Sequence, residues 1–475
     1  MRQIGSFFLF SFFLFSSCNF APKYSGTNMP IPETFRLDTE EGDAMANASW
    51  WKNLGDEVLD ELIQTALRNN KDLQVAMWRV CQYLAQAEVA RSSLFPQLSG
   101  AGGALKEKVP VNQNFLPLGL SPIIPEYALN LSLSYELDFW GKVRNQSSAA
   151  YFEYLAEVEN RRTIVLTLVG STAQSYILLR QLDLQLEMAR NIESSRGASL
   201  EIAKYRFEGG VTSEIEVEQA MSVYQEAVAM VKELERQVPV QENLLSVLLG
   251  QSPGPIPRGK SLKELILPKE VPTGLPSDLL TRRPDILRAE NNLRSACANV
   301  GVARAAFFPQ FSFASLYGVE SLQLKTLLKK PSVNWMIGGS LLQEIFTGGS
   351  LMGQLKIAQA QKQELIFEYE NTILKAFKEV DDSLIGVQKS KEIFAADTLQ
   401  LEALQNYLRL AWYRYYEGQN QYLTVLDAER KVFDAELNTA AAQANQFLFL
   451  VDLYKALGGG WVLEEDSQLI QEKKW

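Results

Sequence analysis

One block of this sequence is written twice. Ala90-Arg91-Ser92-Ser93-Leu94-Phe95-Pro96-Gln97-Leu98 returns as Ala303-Arg304-Ala305-Ala306-Phe307-Phe308-Pro309-Gln310-Phe311. Each copy reads as the end of a helix handing over to a strand. Small residues and an arginine facing unpaired carbonyls suit a last helical turn, and proline cannot continue the α ladder, so the chain leaves extended. Upstream, Asp72-Leu73 with Ala76 matches Asp285-Ile286 with Ala289, and Val89 matches Val302, at one constant offset. This is an internal duplication, and the hinges Arg91, Phe95, Pro96 and Arg304, Phe308, Pro309 organise the chain.

The stretches after the hinges alternate. Tyr127, Leu129, Leu131, Leu133, Tyr135 and Leu137 are separated by Ala128, Asn130, Ser132, Ser134 and Glu136, a period of two over the roughly ten residues that a tilted membrane strand needs. Phe311, Phe313, Tyr317 and Val319, then Val333, Trp335, Ile337 and Leu341, repeat the pattern. A lone strand of this kind would belong to a half-buried soluble sheet. Together with a weakly alternating, glycine-rich strand at Ser99 to Gly103, about four strands are expected, as hairpins near 97–139 and 310–346. Four strands cannot close a barrel, since small barrels use about eight, so the chain must associate with copies of itself.

The remainder is helix of unusual length. From Val143 to Phe207 there is no proline, which gives on the order of 95 Å of continuous helix. Two adjoining apolar stripes, Val158-Val165-Val169-Tyr176-Leu179 and Ile164-Leu168-Leu178-Leu182-Ile192, suit a helix wedged between neighbours on both sides. A turn at Gly209-Gly210-Val211-Thr212-Ser213 follows, with Thr212 or Ser213 as cap for a return helix to Leu249. The plan recurs as a helix from Leu351 to Tyr416, a turn at Gly418-Gln419-Asn420, and a return helix. That last helix carries a seam of Leu426, Arg430, Phe433, Leu437, Ala440, Ala444, Phe447, Val451 and Tyr454 at period 3.5.

At the amino end, Met1-Arg2, an apolar run from Phe7 to Phe15 and Ser16-Ser17-Cys18 read as a secretory signal of the lipoprotein kind. No later segment reads as a membrane-crossing helix, so any crossing would be made by strands. The chain has no histidine, which removes histidine-based triads, acid–base catalysis and histidine-ligated metals. Cys81 and Cys297 sit in helical patterns without CxxC spacing. No dinucleotide or phosphate-loop pattern is present, so no enzyme activity, no cofactor and no metal are expected. A formal charge of −10 without a basic cluster argues against nucleic acid.

The chain resembles the TolC-type outer-membrane efflux proteins, in the lipoprotein branch that serves tripartite pumps of the resistance-nodulation-division class. The resemblance rests on Ala21-Pro22-x-Tyr24, Trp50-Trp51, the paired hinge blocks, Tyr135-Glu136-Leu137-Asp138-Phe139-Trp140-Gly141-Lys142-Val143 and Arg282-Arg283-Pro284-Asp285. It also rests on Gly418-x-x-x-Tyr422-Leu423-Thr424-x-Leu426-Asp427-Ala428 and Tyr454-Lys455-Ala456-Leu457-Gly458-Gly459-Gly460-Trp461. It implies a mainly α fold with a membrane β-barrel: a homotrimer with a twelve-stranded barrel, four strands per chain, continued by a long antiparallel coiled-coil barrel in the periplasm.

It further implies a passive efflux conduit in a Gram-negative outer membrane, held in lipid by a palmitate-bearing Cys18. An inner-membrane pump drives transport, and a periplasmic adaptor engages the tips Gly209 to Ser213 and Gly418 to Asn420. Asp427 takes the place of one aperture carboxylate, Thr424 stands where TolC has another aspartate, and Arg206, Tyr415 and Tyr416 are candidates for an inter-subunit latch. Pro239 departs from the family pattern and is expected to kink or unwind its helix. The domain plan is then signal peptide 1–17, arm 18–55, first repeat 56–254, linker 255–275, second repeat 276–460 and tail 461–475. A type I secretion channel and a pore-free periplasmic coiled-coil scaffold remain as alternatives.

Overall fold

The computed structural model of the chain describes residues 19–24, 26, 29–30, 32, 34–37, 49–108, 123–268 and 276–460. Cys18, the prolines Pro110, Pro117 and Pro122, and the tail 461–475 lie outside the described residues. Helices α1 (Glu57–Asn69) and α2 (Lys71–Ser92) lead into strands β1 (Gln97–Lys108) and β2 (Ile123–Leu137), then helices α3 (Lys142–Glu208) and α4 (Glu214–Leu248). The second half runs α5 (Pro284–Ala305), β3 (Gln310–Ser321), β4 (Val333–Leu342), α6 (Ser350–Tyr416) and α7 (Tyr422–Ala456). No described helix is long and apolar enough to cross a membrane. The chain divides into two compact units, with α2, α3, α5 and α6 contributing to both.

The first unit holds the sheet. Its four strands are antiparallel in the order β1-β2-β3-β4, so the expected hairpins join through β2–β3 pairing into one sheet. The register places apolar residues opposite one another: Leu131 faces Tyr317, which faces Trp335, and Leu137 faces Phe311, which faces Leu341. Because strand side chains alternate in facing, these residues line one side. That side is open: Tyr317 is 61%, Ile337 66% and Trp335 70% exposed. The other side carries Asn130, Ser132 and Asn334, with Ser99 Oγ bonded to Ser132 Oγ at 2.8 Å and Asn334 Nδ2 donating to Glu320 at 3.1 Å.

Glycines explain the weak pattern of β1, where Gly100 and Gly102 lie opposite Leu131 and Leu129. A Cβ on Gly102 would stand 2.9 Å from the Leu129 side chain. β2 begins earlier than the alternation suggests and takes in Pro125, beyond Tyr127 where pairing with β3 stops.

Both hinges form as the repeated block dictates, with α2 and α5 each ending a few residues before a proline and a strand starting directly after it. The arginine differs from expectation. Arg304 reaches not a helix-end carbonyl but the Phe20 carbonyl of the amino-terminal arm, at 3.1 Å. Phe20 stacks on Phe308 with ring centroids 4.6 Å apart, Phe308 stacks on Trp140 at 5.0 Å, and Trp140 Nε1 donates to the Pro309 carbonyl at 2.8 Å. An extended arm offers carbonyls with no ladder partner, and a guanidinium satisfies one of them. Phe95, the counterpart of Phe308, is exposed.

In the second unit Trp50 and Trp51, which fall within the expected arm 18–55, are core residues. They form a 3-10 turn, Trp50–Leu54, inside the core, with Trp50 stacked on Tyr454 at 4.9 Å. Around them pack Leu59, Leu62 and Ile63 of α1, Val165, Val169, Tyr176 and Leu179 of α3, and Phe447 and Val451 of α7. The first expected stripe of α3 is thus core, apart from the half-buried Val158; in the second stripe Leu168 is buried while Leu178 is exposed. The inter-repeat linker is also core at Ile256, Leu262 and Leu265. Arg258 grips Asp183 at 3.1 and 3.2 Å and also bonds Glu242.

Asp56 caps α1 and is 4% exposed. It accepts from Val58 N at 2.9 Å, Leu59 N at 3.4 Å, Tyr176 Oη at 2.8 Å and Lys260 N at 3.0 Å. α4 runs through Pro239 without interruption, so the expected unwinding does not occur. Proline removes one backbone bond, while Val238 packs against the core and Gln241 Nε2 donates to the Ser175 carbonyl of α3 at 2.8 Å.

Candidate functional site

The two long hairpins turn in the same way. At the first tip Gly210 has φ +71°, Val211 N donates to the Arg206 carbonyl at 2.8 Å and Gly210 N to Phe207 at 2.9 Å. At the second Gly418 has φ +70°, Gln419 N donates to Arg414 at 2.8 Å and Gly418 N to Tyr415 at 3.0 Å. Both are Schellman closures, in which a left-handed glycine lets two amides return to the last carbonyls. The expected side-chain cap is absent: Ser213 holds the N-cap position of α4 without a side-chain bond, and the buried Thr212 hydroxyl has no partner. Ser213 instead accepts the Glu216 amide on its carbonyl at 3.1 Å. Gly209, Gln419 and Asn420 complete the turns.

Just behind the tips four helices meet. Arg206 of α3 donates to the Tyr415 hydroxyl of α6, with its guanidinium 5.2 Å from the ring centroid. That hydroxyl donates to Glu216 of α4 at 3.4 Å. Tyr422 of α7 packs 5.3 Å from Tyr415, and Trp412 stacks on Tyr416 at 5.4 Å. Burial pushes the Tyr415 phenol up. Two latch candidates, Arg206 and Tyr415, therefore bind each other within one chain, with Tyr415 also reaching Glu216, while Tyr416 is exposed at the edge of the cluster. A guanidinium over an aromatic face with a carboxylate beyond it is a mutually supporting triad.

Asp427 is not a member of that cluster. It pairs along its own helix with Lys431 at 2.7 Å and Arg430 at 3.4 Å, the ordinary arrangement of i,i+4 and i,i+3 charges. The Lys431 ammonium holds its carboxyl below the usual range. Thr424 is half-buried one turn before it. Arg430, placed in the seam by its spacing, is exposed; the remaining seam positions are buried, or half-buried at Leu437. The buried surface of α7 is wider than a seam, adding Val425, Ala428, Val432 and Ala435.

Sequence reasoning missed the next layer. Arg196 of α3, its side chain 2% exposed, donates to the Val223 carbonyl at 2.8 Å and to Glu226 of α4 at 3.2 Å, and lies 5.5 Å from the Phe433 ring of α7. Its Nε and Nη2 have no hydrogen-bond partner among the described residues. Burial raises the carboxyl of the nearby Glu429, against the field of Arg196 and a bond from Trp412. A lone arginine in a helix gives no signal of this, because the partners come from two other helices. The Trp412-Tyr413-Arg414-Tyr415-Tyr416 run was the visible trace. Nothing here pairs a nucleophile with a base; the arrangement joins helices through charges and rings, which suits a part that holds or releases a packing.

The model of the family described as "Outer membrane efflux protein" matches residues 62–251 and 275–459. The toluene efflux pump outer membrane protein TtgF of Pseudomonas putida is 37% identical over 462 residues, 94% of this chain and 95% of that protein. Among solved structures, the CmeC outer membrane channel of Campylobacter jejuni aligns with a TM-score of 0.88 at 25% identity, covering 96% of this chain and 98% of its own. The open state of the MtrE outer membrane channel of Neisseria gonorrhoeae aligns at 0.83 and 30%, covering 94% and 99%. With a matching family model over most of its length and a full-length relative, the chain belongs to the outer membrane efflux protein family.

Proposed function

We propose that three copies of this chain close a twelve-stranded barrel in the outer membrane, continued by a periplasmic barrel of long helices. Together they form a passive conduit through which a tripartite system exports small molecules. The observation that carries this reading is the sheet: one antiparallel set of four strands, apolar and exposed on one side, polar on the other, with β1 and β4 each unpaired on its outer edge among the described residues. An open apolar sheet in water would aggregate through those edges, whereas cyclic association satisfies both edges and faces lipid with the apolar side. A coiled-coil scaffold without a pore has no use for such a sheet.

The two halves, residues 56–254 and 276–460, are repeats joined by the linker 255–275. Equal element lengths support this: 22 residues in α2 and α5, 12 in β1 and β3, 67 in α3 and α6, 35 in α4 and α7. The signal 1–17 is removed, Cys18 is lipidated, and the arm from 18 ties the lipid to the hinge; the tail 461–475 follows the second repeat. The tips receive a periplasmic adaptor, and an inner-membrane pump supplies the energy. Relatives named for toluene, antibiotic and cation efflux support export rather than uptake and leave the cargo to the pump.

Asp427 is proposed as one carboxylate of a threefold aperture ring, with Lys431 and Arg430 as its closed-state partners. In planar bilayers wild-type protein is expected to give discrete conductance steps, and Asp427→Ala to raise conductance severalfold by loosening the closed aperture. Wild type without steps would overturn the pore. Equal conductance in both proteins would remove Asp427 from the aperture.

A further inference from the structure

The turn between β3 and β4 lies at the end of the sheet away from both proline hinges and has an unusual composition. Residues 322–332 read Leu-Gln-Leu-Lys-Thr-Leu-Leu-Lys-Lys-Pro-Ser, with three lysines and no acidic residue, in a chain of net charge −10. The segment is built rather than loose. Two 3-10 turns, Leu324–Thr326 and Lys330–Ser332, are tied by Ser321 Oγ to Thr326 Oγ1 at 2.6 Å, Thr326 Oγ1 to the Gln323 carbonyl at 2.9 Å and Ser332 Oγ to the Thr326 carbonyl at 2.8 Å. Leu327 is tucked in at 6% exposure, while Leu322, Leu324 and Leu328 stand out at 60%, 66% and 81%. Lys325, Lys329 and Lys330 are exposed and have no ion pair among the described residues. The nearest carboxylate in sequence, Glu320, is on the polar side of the sheet with Asn334. Directly after the loop, Val333 and Trp335 begin the apolar side.

Water alone disfavours three outward leucines, and an apolar phase disfavours three ammonium groups. One boundary satisfies both: a lipid surface in which leucines enter the acyl region and lysines extend to anionic headgroups. Trp335, the third residue of β4, fits the same level.

We propose that residues 322–332 form an interfacial lipid-binding loop, in which Lys325, Lys329 and Lys330 bind the phosphates of an anionic lipid in the outer leaflet and Leu322, Leu324 and Leu328 seat its acyl chains. The inference rests on the reading of the sheet as a membrane wall. It deepens that reading by giving the wall a ligand of stated chemistry.

The test uses the full-length protein in neutral detergent, with doubly phosphorylated lipid A as probe, its dephosphorylated form as one control and inorganic phosphate as another. Wild type is expected to bind the phosphorylated lipid. K325Q/K329Q/K330Q is expected to weaken that binding by about tenfold or more, since each lysine near an anionic surface contributes about 1 kcal/mol, a factor of about five. The arginine triple variant should retain binding, and L324S/L328S should weaken both lipids alike. Equal affinity of wild type and the glutamine variant would overturn the proposal, as would displacement of the lipid by inorganic phosphate alone, which would mark a soluble-anion site. Bilayer conductance of the same preparations separates the two readings: loss of lipid binding with normal conductance spares the channel, while absence of conductance in wild type removes the membrane wall itself.

Discussion

Gly318→Val is expected to abolish assembly, leaving less than about a tenth of the wild-type heat-modifiable oligomer in outer-membrane extracts. Gly318 lies on β3 between Asn130 of β2 and Asn334 of β4. A Cβ there would stand 2.0 Å from Asn130 Oδ1 and 2.5 Å from the Leu129 carbonyl oxygen. The amide side chain can turn away, but the carbonyl belongs to the strand itself. The β2–β3 pairing would therefore have to separate, and that pairing alone joins the two halves of the sheet. Overpacking of this kind costs about 1–3 kcal/mol in an adaptable core and more against fixed backbone. Gly338 is the control: it lies on β4 of the same sheet with open space where its Cβ would go, and Gly338→Ala should assemble normally. If Gly318→Val also assembles at wild-type levels, the described register is wrong.

The second large effect is expected at Asp56. Asp56→Ala should lower the stability of the helical unit by about 4 kcal/mol or more, from a lost cap and from buried donors left unsatisfied. Tyr176 accepts the Gly259 amide at 2.9 Å and donates a hydrogen bond to Asp56, while the Lys260 amide donates to the same carboxylate oxygen. The carboxylate is packed directly against the linker backbone, since a Cβ on Gly259 would meet Asp56 Oδ1 at 2.1 Å. Asp56→Asn can keep the cap of α1 through Oδ1 but loses the acceptor shared by Tyr176 and Lys260, giving about half the effect. Guanidinium denaturation followed by helical circular dichroism ranks the three proteins. Identical midpoints for wild type and Asp56→Ala would show that the Asp56 cap and its bonds to Tyr176 and the linker contribute nothing to stability.

These expectations also mark how far the sequence could be read. Proline after a small-residue helical turn announced both hinges, because the steric rule is local. Alternation over Tyr127 to Leu137 announced an exposed apolar face for the same reason. The glycines at positions 210 and 418 located both tips. Features that depend on residues far apart were invisible. The Arg304 to Phe20 bond joins positions hundreds of residues apart, and the two rings that stack on Phe308 come from the arm and from the bend between β2 and α3. Arg196 and Glu429 look like surface charges until three helices are placed around them. The linker reads as a tether by its prolines, yet Ile256, Leu262 and Leu265 are core. Pro239 shows the reverse error for unwinding: the helix continues through a local breaker.

The account stands on the incompleteness of a single chain as a membrane wall, and native mass spectrometry of the detergent-extracted protein tests this most directly. It should release one species containing three copies, with neither monomer nor dimer in quantity. A monodisperse single chain that remains in solution once detergent is removed would contradict it.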